Sequence, residues 1–474
     1  MAGEAAFFDL DRTLLRGASG PVLAAALRDA GLLPERRIPG EGAVYRFYDI
    51  VGETLPGMFL ARRAATAAAG LSADAVAEAA AQAAKVLCGS VQPYARLLMD
   101  EHRAAGRPVV LATTSPFDLV KPFADELGLD GVVATRYGLR DDRTYDGSII
   151  GQFVWGRGKL AAVREWAAEH DVDVARSWVY SDSIYDVPLL AAAGHPVAVN
   201  PDPRLAAVAT VRRWPVVHLD VPPGVPKVAG IEPFQLFRPL MRPELVPYAR
   251  FDIEGVERIP NEGPAIVVAN HRSYFDTVAV GLTIARSGRS VRFLGKKEVF
   301  DAPVVGPLAR AMGGIRVERG TGSDEPLREA ARALEAGELV ALMPQGTIPR
   351  GRAFFEPELQ GRWGAARLAA MTRAPVVPLG LWGTEKVWPR NARLPNVLNV
   401  VSPPLVTVRV GDAVPLGYED VDADTKLIMT GIADLLPPES RVRREPTPAE
   451  LARTLPAGYK GDPDDELARR PGTD

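Results

Sequence analysis

Two aspartates, Asp9 and Asp11, follow a short apolar run near the start of the chain. Their spacing of two places both carboxylates on the same side of an extended segment as it leaves a sheet, and open α/β sheets bind ligands at that edge. Two like charges this close are costly unless a cation offsets them. Because Mg²⁺ prefers oxygen ligands, the pair predicts a magnesium site and chemistry on a phosphate ester.

Four further polar residues occur where strands end or helices begin. Thr113 closes an apolar strand, Lys159 opens a helix, and Asp182 and Asp186 follow another strand. Hydrolysis of a phosphate ester requires a carboxylate nucleophile, a second acid to move the proton, a hydroxyl and an ammonium for the phosphate oxygens, and carboxylates for a metal. Each residue alone is also typical of an ordinary turn or helix start, whereas the ordered set favours a phosphohydrolase site.

In this order the motifs resemble the haloacid dehalogenase superfamily, specifically its subclass IB branch, which has a helical cap after the first motif and includes phosphoserine phosphatase. The resemblance implies that Asp9 is the nucleophile, forming an aspartyl phosphate, and that Asp11 is the general acid and base. Thr113 and Lys159 would hold the phosphate. The implied Mg²⁺ ligands are Asp9, Asp11 through its backbone carbonyl, Asp182 and, in support, Asp186.

One departure from that family concerns the substrate. Phosphoserine phosphatases carry an acid in the cap shortly after the first motif, which pairs with the amino group of the substrate. Residues 16–19 here read Arg-Gly-Ala-Ser. This difference disfavours free phosphoserine as the substrate.

His271 and Asp276 form a second candidate site, directly after the apolar run 265–269. At the start of a helix, this spacing lets the carboxylate fold back onto one imidazole nitrogen, so that the other nitrogen can accept a proton. A hydroxyl that attacks a thioester needs such a base. The pair alone favours the simpler interpretation of a histidine that caps a helix and an acid in its first turn.

Three later segments, 313–319, 343–347 and 374–380, favour the catalytic interpretation. With the His271 segment, they resemble the four blocks of the glycerophospholipid acyltransferases, the family that contains 1-acylglycerol-3-phosphate acyltransferase. The resemblance implies His271 as the base, Asp276 as its orienting partner, and Arg319 as a bidentate ligand of the acceptor phosphate. The further residues that it implies at the substrate site are Lys296, Lys297, Gly346 and Thr347.

The second family usually has a glutamate where this chain has Gln345. Glutamine keeps the hydrogen-bonding capacity but removes a charge. We therefore expect the choice of acceptor to differ, while the chemistry of His271 and Asp276 is retained.

The elements that must position these residues indicate two α/β domains. Short apolar runs alternate with helical patterns in both halves, and an alanine-rich block before residue 98 indicates a helical insertion. The predicted fold is a Rossmann-like haloacid dehalogenase domain with a helical cap, followed by an α/β glycerophospholipid acyltransferase domain. The predicted boundaries are 1–220 for the first domain with its cap at 16–98, 221–250 for a linker, 251–440 for the acyltransferase domain, and 441–474 for a proline-rich tail that frays or wraps the surface.

Composition excludes several other classes. The chain has 474 residues, a net charge of −3 and a single cysteine, Cys88, so it offers no basic stripe for nucleic acid and no cysteine-based metal site. The N-terminus lacks the pattern of a signal peptide. The longest uncharged runs, such as 394–408, contain prolines and are typical of strands. We expect a cytoplasmic protein that does not span a membrane.

Residues 231–248 combine apolar side chains with interleaved arginines. This pattern is typical of a segment that lies on the inner face of a membrane with snorkelling cations, and equally of a segment that packs between domains.

Three hypotheses follow. The chain is a bifunctional lipid enzyme that joins a Mg²⁺-dependent phosphatase to a transferase using acyl-CoA or acyl-carrier protein, with lysophosphatidate or a related phosphate ester as acceptor. Alternatively, only the acyltransferase is active and the first domain is a regulatory or scaffold module. In the third hypothesis, a phosphatase for small metabolites is tethered by an inactive acyltransferase-like domain.

Overall fold

The computed structural model divides the chain into two compact units, Met1–Pro223 and Gly224–Asp474. Each unit is built on its own seven-stranded sheet. The residues that the structure describes are 2–34, 55–223, 225–227, 230–301, 303, 305–317 and 324–462. Arg319, predicted to hold the acceptor phosphate, lies outside these residues.

The first sheet has the strand order β4-β3-β2-β1-β5-β6-β7, and all neighbouring strands are parallel except β3 and β4. Its strands are β1 (Ala6–Phe8), β2 (Val109–Pro116), β3 (Gly131–Leu139), β4 (Tyr145–Ile150), β5 (Trp178–Ser181), β6 (His195–Val199) and β7 (Val216–Val217). The central strand β1 is buried on both faces because helices cover a parallel sheet on both sides.

Helices fill the intervals between these strands. They are α1 (Gly20–Asp29), α2 (Leu55–Ala67), α3 (Ala73–Gly89), α4 (Ala95–Ala104), α5 (Phe117–Glu126), α6 (Arg157–Glu169), α7 (Val187–Leu190) and α8 (Pro203–Arg212). The first four lie between β1 and β2, where the sequence predicted a helical cap, and the described residues there contain no strand longer than an isolated bridge. Alanine dominates α3 because it is the strongest helix former, and Ser72 caps its N-terminus.

The second sheet has the order β11-β10-β12-β9-β13-β14-β8, with one antiparallel pair, β13 and β14. Its strands are β8 (Arg250–Glu254), β9 (Ala265–Ala269), β10 (Val291–Lys296), β11 (Ile315–Val317), β12 (Leu339–Leu342), β13 (Val376–Trp382) and β14 (Leu405–Val410). The fully buried strand β9 lies at its centre. The two sheets confirm the predicted α/β fold class for both halves.

The described helices of the second unit are α9 (Pro233–Phe237), α10 (Asp276–Arg286), α11 (Lys297–Asp301), α12 (Val305–Ala311), α13 (Glu325–Glu335), α14 (Gly364–Thr372), α15 (Thr384–Val387), α16 (Val421–Ala433) and α17 (Pro448–Thr454). Helix α10 packs in the core on one face of the sheet. Helices α13, α14 and α16 pack in the core on the other face. No helix among the described residues is long and apolar enough to cross a bilayer.

The prediction of a strand over 394–408 is wrong for most of that range. Only Leu405–Val410 is a strand, and the preceding residues form a loop whose aliphatic side chains are exposed. The run contains Pro395, Pro403 and Pro404, which cannot donate the hydrogen bonds of a sheet.

The described part of the C-terminal tail wraps the second unit. Helix α17 begins with a capping box formed by Thr447 and Glu450. Thr454 is buried and its hydroxyl accepts a hydrogen bond from the backbone N–H of Gly351 at 3.0 Å.

Candidate functional sites

The first candidate site lies at the carboxyl end of β1. Phe8 is paired in register with Leu111 of β2 and with Tyr180 of β5, so the residues that follow these three strands meet at one edge of the sheet. Asp9 leaves β1 there, and the next residues form a tight turn in which Arg12 has a left-handed φ of 59°. This turn brings the backbone N–H of Ser19 to 2.7 Å from Oδ1 of Asp11, which fixes that carboxylate.

Lys159 joins two of the predicted acids. Its Nζ lies 2.7 Å from Oδ1 of Asp9 and 2.6 Å from Oδ2 of Asp186, and the lysine is only 1% exposed. Ser181 donates a further hydrogen bond to Oδ2 of Asp186 at 2.6 Å. A buried ammonium between two buried carboxylates compensates charges that would be costly alone.

The turn that carries Lys159 depends on two glycines. Gly156 has a φ of 56°, a conformation that side chains disfavour. A Cβ on Gly158 would collide with the backbone carbonyl of Phe153. These glycines let α6 begin close to the sheet edge, so that the lysine reaches Asp9.

Asp182 follows β5 and contacts the Asp9 turn. Its Oδ2 lies 3.3 Å from Nε of Arg12, and its Oδ1 accepts a hydrogen bond from Thr13 at 3.3 Å. Thr113 is buried near the end of the neighbouring strand β2, where its hydroxyl accepts a hydrogen bond from the N–H of Ser115. The predicted phosphatase residues therefore share one edge of the sheet.

The predicted Mg²⁺ ligands, which are Asp9, Asp11 through its backbone carbonyl, Asp182 and, in support, Asp186, stay a prediction. Within the part of the chain that the structure describes, no three acidic, histidine or cysteine side chains converge as metal ligands. Asp186 contacts Lys159 and Ser181, and the carboxylate of Asp11 contacts Ser19. Lys159 and Arg12 are cations from the chain itself that lie against Asp9, Asp186 and Asp182.

An aromatic layer supports the strand ends beneath this site. Tyr180 stacks on Phe8, with ring centroids 4.4 Å apart, and its hydroxyl lies 2.8 Å from Nε2 of His102. Nδ1 of His102 accepts a hydrogen bond from Arg107. Burial, together with the charge of Arg107, lowers the pKa of His102 to about 4. Burial raises the pKa of the Tyr180 hydroxyl above its usual value, so both groups are uncharged at neutral pH.

The second candidate site begins where β9 ends. Nδ1 of His271 lies 2.7 Å from Oδ2 of Asp276, the first residue of α10. The same oxygen accepts hydrogen bonds from the backbone N–H groups of Arg272, at 2.6 Å, and Ser273, at 2.8 Å. Asp276 is completely buried. The N-terminus of the helix favours a carboxylate at this position, and the carboxylate holds the imidazole with Nε2 as the remaining acceptor.

Gln345 has a direct contact with the dyad. Its Oε1 accepts a hydrogen bond of 2.6 Å from the backbone N–H of His271. Asn270 fixes the other side of the segment through two hydrogen bonds with the backbone of Leu381 in β13. The segment that carries His271 is therefore held between β13 and the turn that follows β12.

A pocket opens beside the dyad. Its lining includes His271, Arg272, Gln345 and Thr347, with apolar atoms from Phe354. Arg272 lies over the rings of Phe354 and Trp382, 4.2 Å from each centroid, and its Nε lies 3.2 Å from Glu385. The sequence did not single out Arg272 or Glu385, although Arg272 directly follows the predicted base.

The other predicted substrate residues have different positions. Thr347 lines the pocket, and Gly346 forms the turn beside it with a φ of 71°. Lys296 ends β10 and Lys297 begins α11, and neither is among the residues that line this pocket. The structure therefore brings together His271, Asp276 and the 345–347 turn, and the substrate role of the two lysines stays a prediction.

Two family models match this chain. Residues 6–191 match the haloacid dehalogenase-like hydrolase family, and residues 250–382 match the acyltransferase family. The chain is 35% identical to an inhibition of morphological differentiation protein of Streptomyces azureus, over 46% of this chain and 79% of that protein. It is 32% identical to a phosphoserine phosphatase of Mycobacterium tuberculosis, over 45% of this chain and 70% of that protein.

Solved structures resemble the two parts more loosely. A phospho-aspartyl intermediate analogue of phosphoserine phosphatase is 18% identical, with a TM-score of 0.34, over 47% of this chain and 95% of that chain. The 1-acyl-sn-glycerophosphate acyltransferase of Thermotoga maritima is 24% identical, with a TM-score of 0.30, over 40% of this chain and 73% of that chain. The chain thus belongs to the haloacid dehalogenase-like hydrolases through its first unit, of the phosphoserine phosphatase-like type, and carries an acyltransferase-family domain in its second unit.

Proposed function

We propose that this protein is a bifunctional enzyme of phospholipid synthesis. The second unit transfers an acyl group from acyl-CoA or acyl-carrier protein to lysophosphatidate, giving phosphatidate. The first unit hydrolyses a phosphate monoester through an aspartyl phosphate. The observation that carries the proposal is the presence of a complete reactive group in each unit: Asp9 with Lys159 in the first, and His271 with Asp276 in the second.

In the first unit, a carboxylate oxygen of Asp9 attacks phosphorus and the bond to the ester oxygen breaks. Asp11 donates a proton to the departing alkoxide, which leaves as an alcohol. Asp11 then removes a proton from water as the water oxygen attacks phosphorus, which releases phosphate and restores Asp9. The hydrogen bond from the backbone N–H of Ser19 supports this role because it orients the carboxylate of Asp11.

Mg²⁺ fits the oxygen donors at this edge. Asp9 and Asp182 are buried carboxylates at the ends of the neighbouring strands β1 and β5, and the backbone carbonyl of Asp11 is close in sequence. Two carboxylates and a carbonyl would hold the ion, a smaller set than the predicted one, and oxygen ligands are those that Mg²⁺ prefers. Bound Mg²⁺ would offset the negative charge of the phosphate oxygens. Lys159, positioned by Asp186, binds the phosphate from the side of α6.

In the second unit, Nε2 of His271 accepts the proton of the acceptor hydroxyl as its oxygen attacks the thioester carbonyl. The carbon–sulfur bond then breaks, and the thiolate leaves with a proton from the imidazolium. Asp276 stabilises the imidazolium through Nδ1. The pocket beside His271 supports this role because its lining joins polar groups to the ring of Phe354.

The chemistry of the two units is compatible with one pathway. Acylation of lysophosphatidate produces a phosphate monoester, and a phosphatase acting on a member of that series would release a less charged lipid. The relation to a phosphoserine phosphatase supports a monoester substrate for the first unit. Residues 16–19 contain no acid that could pair with the amino group of phosphoserine, which favours a different substrate.

The test uses the purified full-length protein with Mg²⁺, radiolabelled lysophosphatidate and an acyl-CoA. We expect Asp9→Asn to abolish phosphate release and His271→Ala to abolish formation of phosphatidate, while each leaves the other activity intact. Asp141→Asn and His170→Ala, both at exposed positions, are matched controls.

Two results would reject parts of the proposal. Phosphate release that persists in Asp9→Asn would leave the first unit as a regulatory or scaffold module. Acyl transfer that persists in His271→Ala, or that is absent from the wild type, would leave the first unit as a phosphatase joined to a tether.

A further inference from the structure

An exposed apolar loop lies next to the acyltransferase site. It spans 389–404, between α15 and β14, and is called the apolar loop below. Leu398 is 86% exposed and Val401 is 94% exposed. The other large aliphatic residues exposed in the loop are Leu394, Val397 and Val400. A cluster of this kind marks an interaction surface, because single exposed aliphatic side chains are common but contiguous ones are not.

The base of the apolar loop is fixed to the site. The carbonyl of Trp388 accepts a hydrogen bond of 2.7 Å from Ser273, in the segment that carries His271. The indole N–H of Trp388 donates to the carbonyl of Ala392 at 3.1 Å. Arg390 donates to the carbonyls of Ile348 and Pro349, next to the 345–347 turn. The exposed tip is therefore held in place relative to the pocket.

The charged side chains of the apolar loop are all positive. Between residues 388 and 408 the only charged side chains are Arg390 and Arg393. Arg393 is exposed and precedes Leu394 directly. A patch of aliphatic side chains with arginines and without acids complements a surface that has an anionic outer layer over an apolar interior.

A second apolar strip spans 236–245, from the end of α9 through the two 3₁₀ turns that follow it. Leu236, Phe237, Leu240 and Leu245 are each more than 40% exposed, and Arg238 and Arg242 lie among them, with Glu244 as the one acid. Met241 of this strip packs beside Gly281 of α10. At the start of α10, Tyr274 is 45% exposed and its ring lies 5.5 Å from that of Trp388.

We propose that the apolar loop and the 236–245 strip, which approach α10 near Tyr274 and at Gly281, together form a surface that docks on an anionic phospholipid bilayer. This inference rests on the proposed acyltransferase function, and it identifies the bilayer as the partner that presents the acceptor. Helix α10 begins with Asp276, so docking by these two segments holds the dyad close to the lipid surface. The aliphatic tip enters the headgroup region while the arginines contact lipid phosphates.

The test compares binding of the full-length protein to vesicles of phosphatidylcholine alone and of phosphatidylcholine with phosphatidylglycerol, by co-sedimentation. We expect preferential binding to the anionic vesicles, weakened by salt. Leu398→Asp with Val401→Asp should lower the affinity at least about tenfold, because two charges replace aliphatic groups at the interface. Arg393→Gln should reduce the preference for anionic lipid by a few-fold.

The matched control is Met371→Asp with Leu427→Asp. These side chains are 49% and 43% exposed on α14 and α16, which pack against the other face of the sheet. The control should bind vesicles like the wild type. Equal binding by the two double variants, or no binding by the wild type, would overturn the proposed surface. A change from dimer to monomer in the loop variant, without a change in vesicle binding, would assign the surface to a second copy of the chain.

Acyl transfer to a water-soluble, short-chain lysophosphatidate distinguishes this inference from the proposed function. We expect the loop variant to retain transfer to the soluble acceptor and to lose transfer to acceptor in anionic vesicles. A wild type that binds vesicles but transfers no acyl group to either acceptor would reject the proposed activity and leave the docking surface in place.

Discussion

The two candidate sites bring their charged groups together over very different distances along the chain. Lys159 contacts Asp9, 150 residues earlier, whereas His271 contacts Asp276 only five residues later. The first contact requires the assembled sheet, because α6 and β1 meet only when the parallel strands are in register. The second is made within one turn at the start of a helix.

This difference determines how each site responds to mutation. In the first site, removal of one partner leaves buried charge that the surrounding fold has excluded from water. In the second, the backbone N–H groups of Arg272 and Ser273 still hold Asp276, so the dyad can lose its function while the unit keeps its fold. Substitutions in the two sites should therefore separate loss of stability from loss of chemistry.

The largest effect is expected for Lys159→Met. The substitution leaves Asp9 and Asp186 without their shared buried cation, which should lower the free energy of unfolding of the first unit by about 3–5 kcal/mol and abolish phosphate release. Denaturant unfolding followed by circular dichroism, with phosphate release measured on the same samples, checks both effects. Acyl transfer should be unchanged.

Lys121→Met is the matched control, because Lys121 is exposed and pairs with Asp125 on the surface of α5. It should change stability by less than about 1 kcal/mol. If Lys159→Met were as stable as this control, the buried ion pairs would not hold the first site together.

Asp276→Asn should have a large effect on chemistry and a smaller one on stability. An amide cannot stabilise the imidazolium and can orient the ring in the wrong tautomer, as in a serine protease in which the same change costs about 10⁴-fold. We expect acyl transfer to fall by about 10³–10⁴-fold with phosphate release unchanged. Steady-state assays of both activities on one preparation provide the measurement.

Asp412→Asn provides the control for this substitution, since the side chain of Asp412 is 89% exposed and pairs with Arg258 at the surface. Its acyl transfer should equal that of the wild type. A comparable loss in both variants would indicate a general effect of charge instead of a role for the dyad.

The same contrast explains what could be predicted from the sequence. Local spacing was sufficient for the His271–Asp276 contact, since only a short turn separates His271 from the first residue of α10. Asp9, Lys159 and Asp186 were identified by residue type and order, but their mutual contacts depend on the register of β1 and β5, which spacing does not encode. The metal role that the resemblance implies for Asp186 stays a prediction, and its contact with Lys159 could not be read from the spacing.

The error at 394–408 has a different origin. Apolar residues without charge are typical of a buried strand, but the same composition also suits a loop that binds an apolar partner. The prolines were the signal against a strand, and the exposure of Leu398 and Val401 could not be read from composition.

Arg319, the remaining candidate for the acceptor phosphate, stays a prediction.

A third prediction uses pH to test how His102, in the aromatic layer beneath the first site, affects the stability of the first unit. Folding lowers the pKa of His102 from 6.5 to about 4, so between these values the unfolded chain binds a proton that the folded chain does not. The stability of the first unit should therefore fall as the pH decreases from 6.5 towards 4, by up to about 3 kcal/mol. Unfolding curves recorded across this range would show the loss.

His102→Gln should flatten this pH dependence, because no group at that position then gains a proton on unfolding. His170→Gln is the control, since His170 is exposed on the surface of the same unit, and it should keep the slope of the wild type. An unchanged slope in His102→Gln would show that other groups cause the acid sensitivity.

The smallest effects are expected at Gln345, where the second site depends on a contact between distant segments. Its Oε1 accepts the backbone N–H of His271 at 2.6 Å, and a glutamate could accept the same hydrogen bond. Gln345→Leu should leave that N–H without its partner and cost about 1–2 kcal/mol, or about 5- to 30-fold in kcat/KM. Gln345→Glu should stay within about threefold of the wild type with lysophosphatidate, because the acceptor oxygen is kept. Equal losses in the two variants would show that the neutral amide itself, and not its hydrogen bond to His271, determines activity with this acceptor.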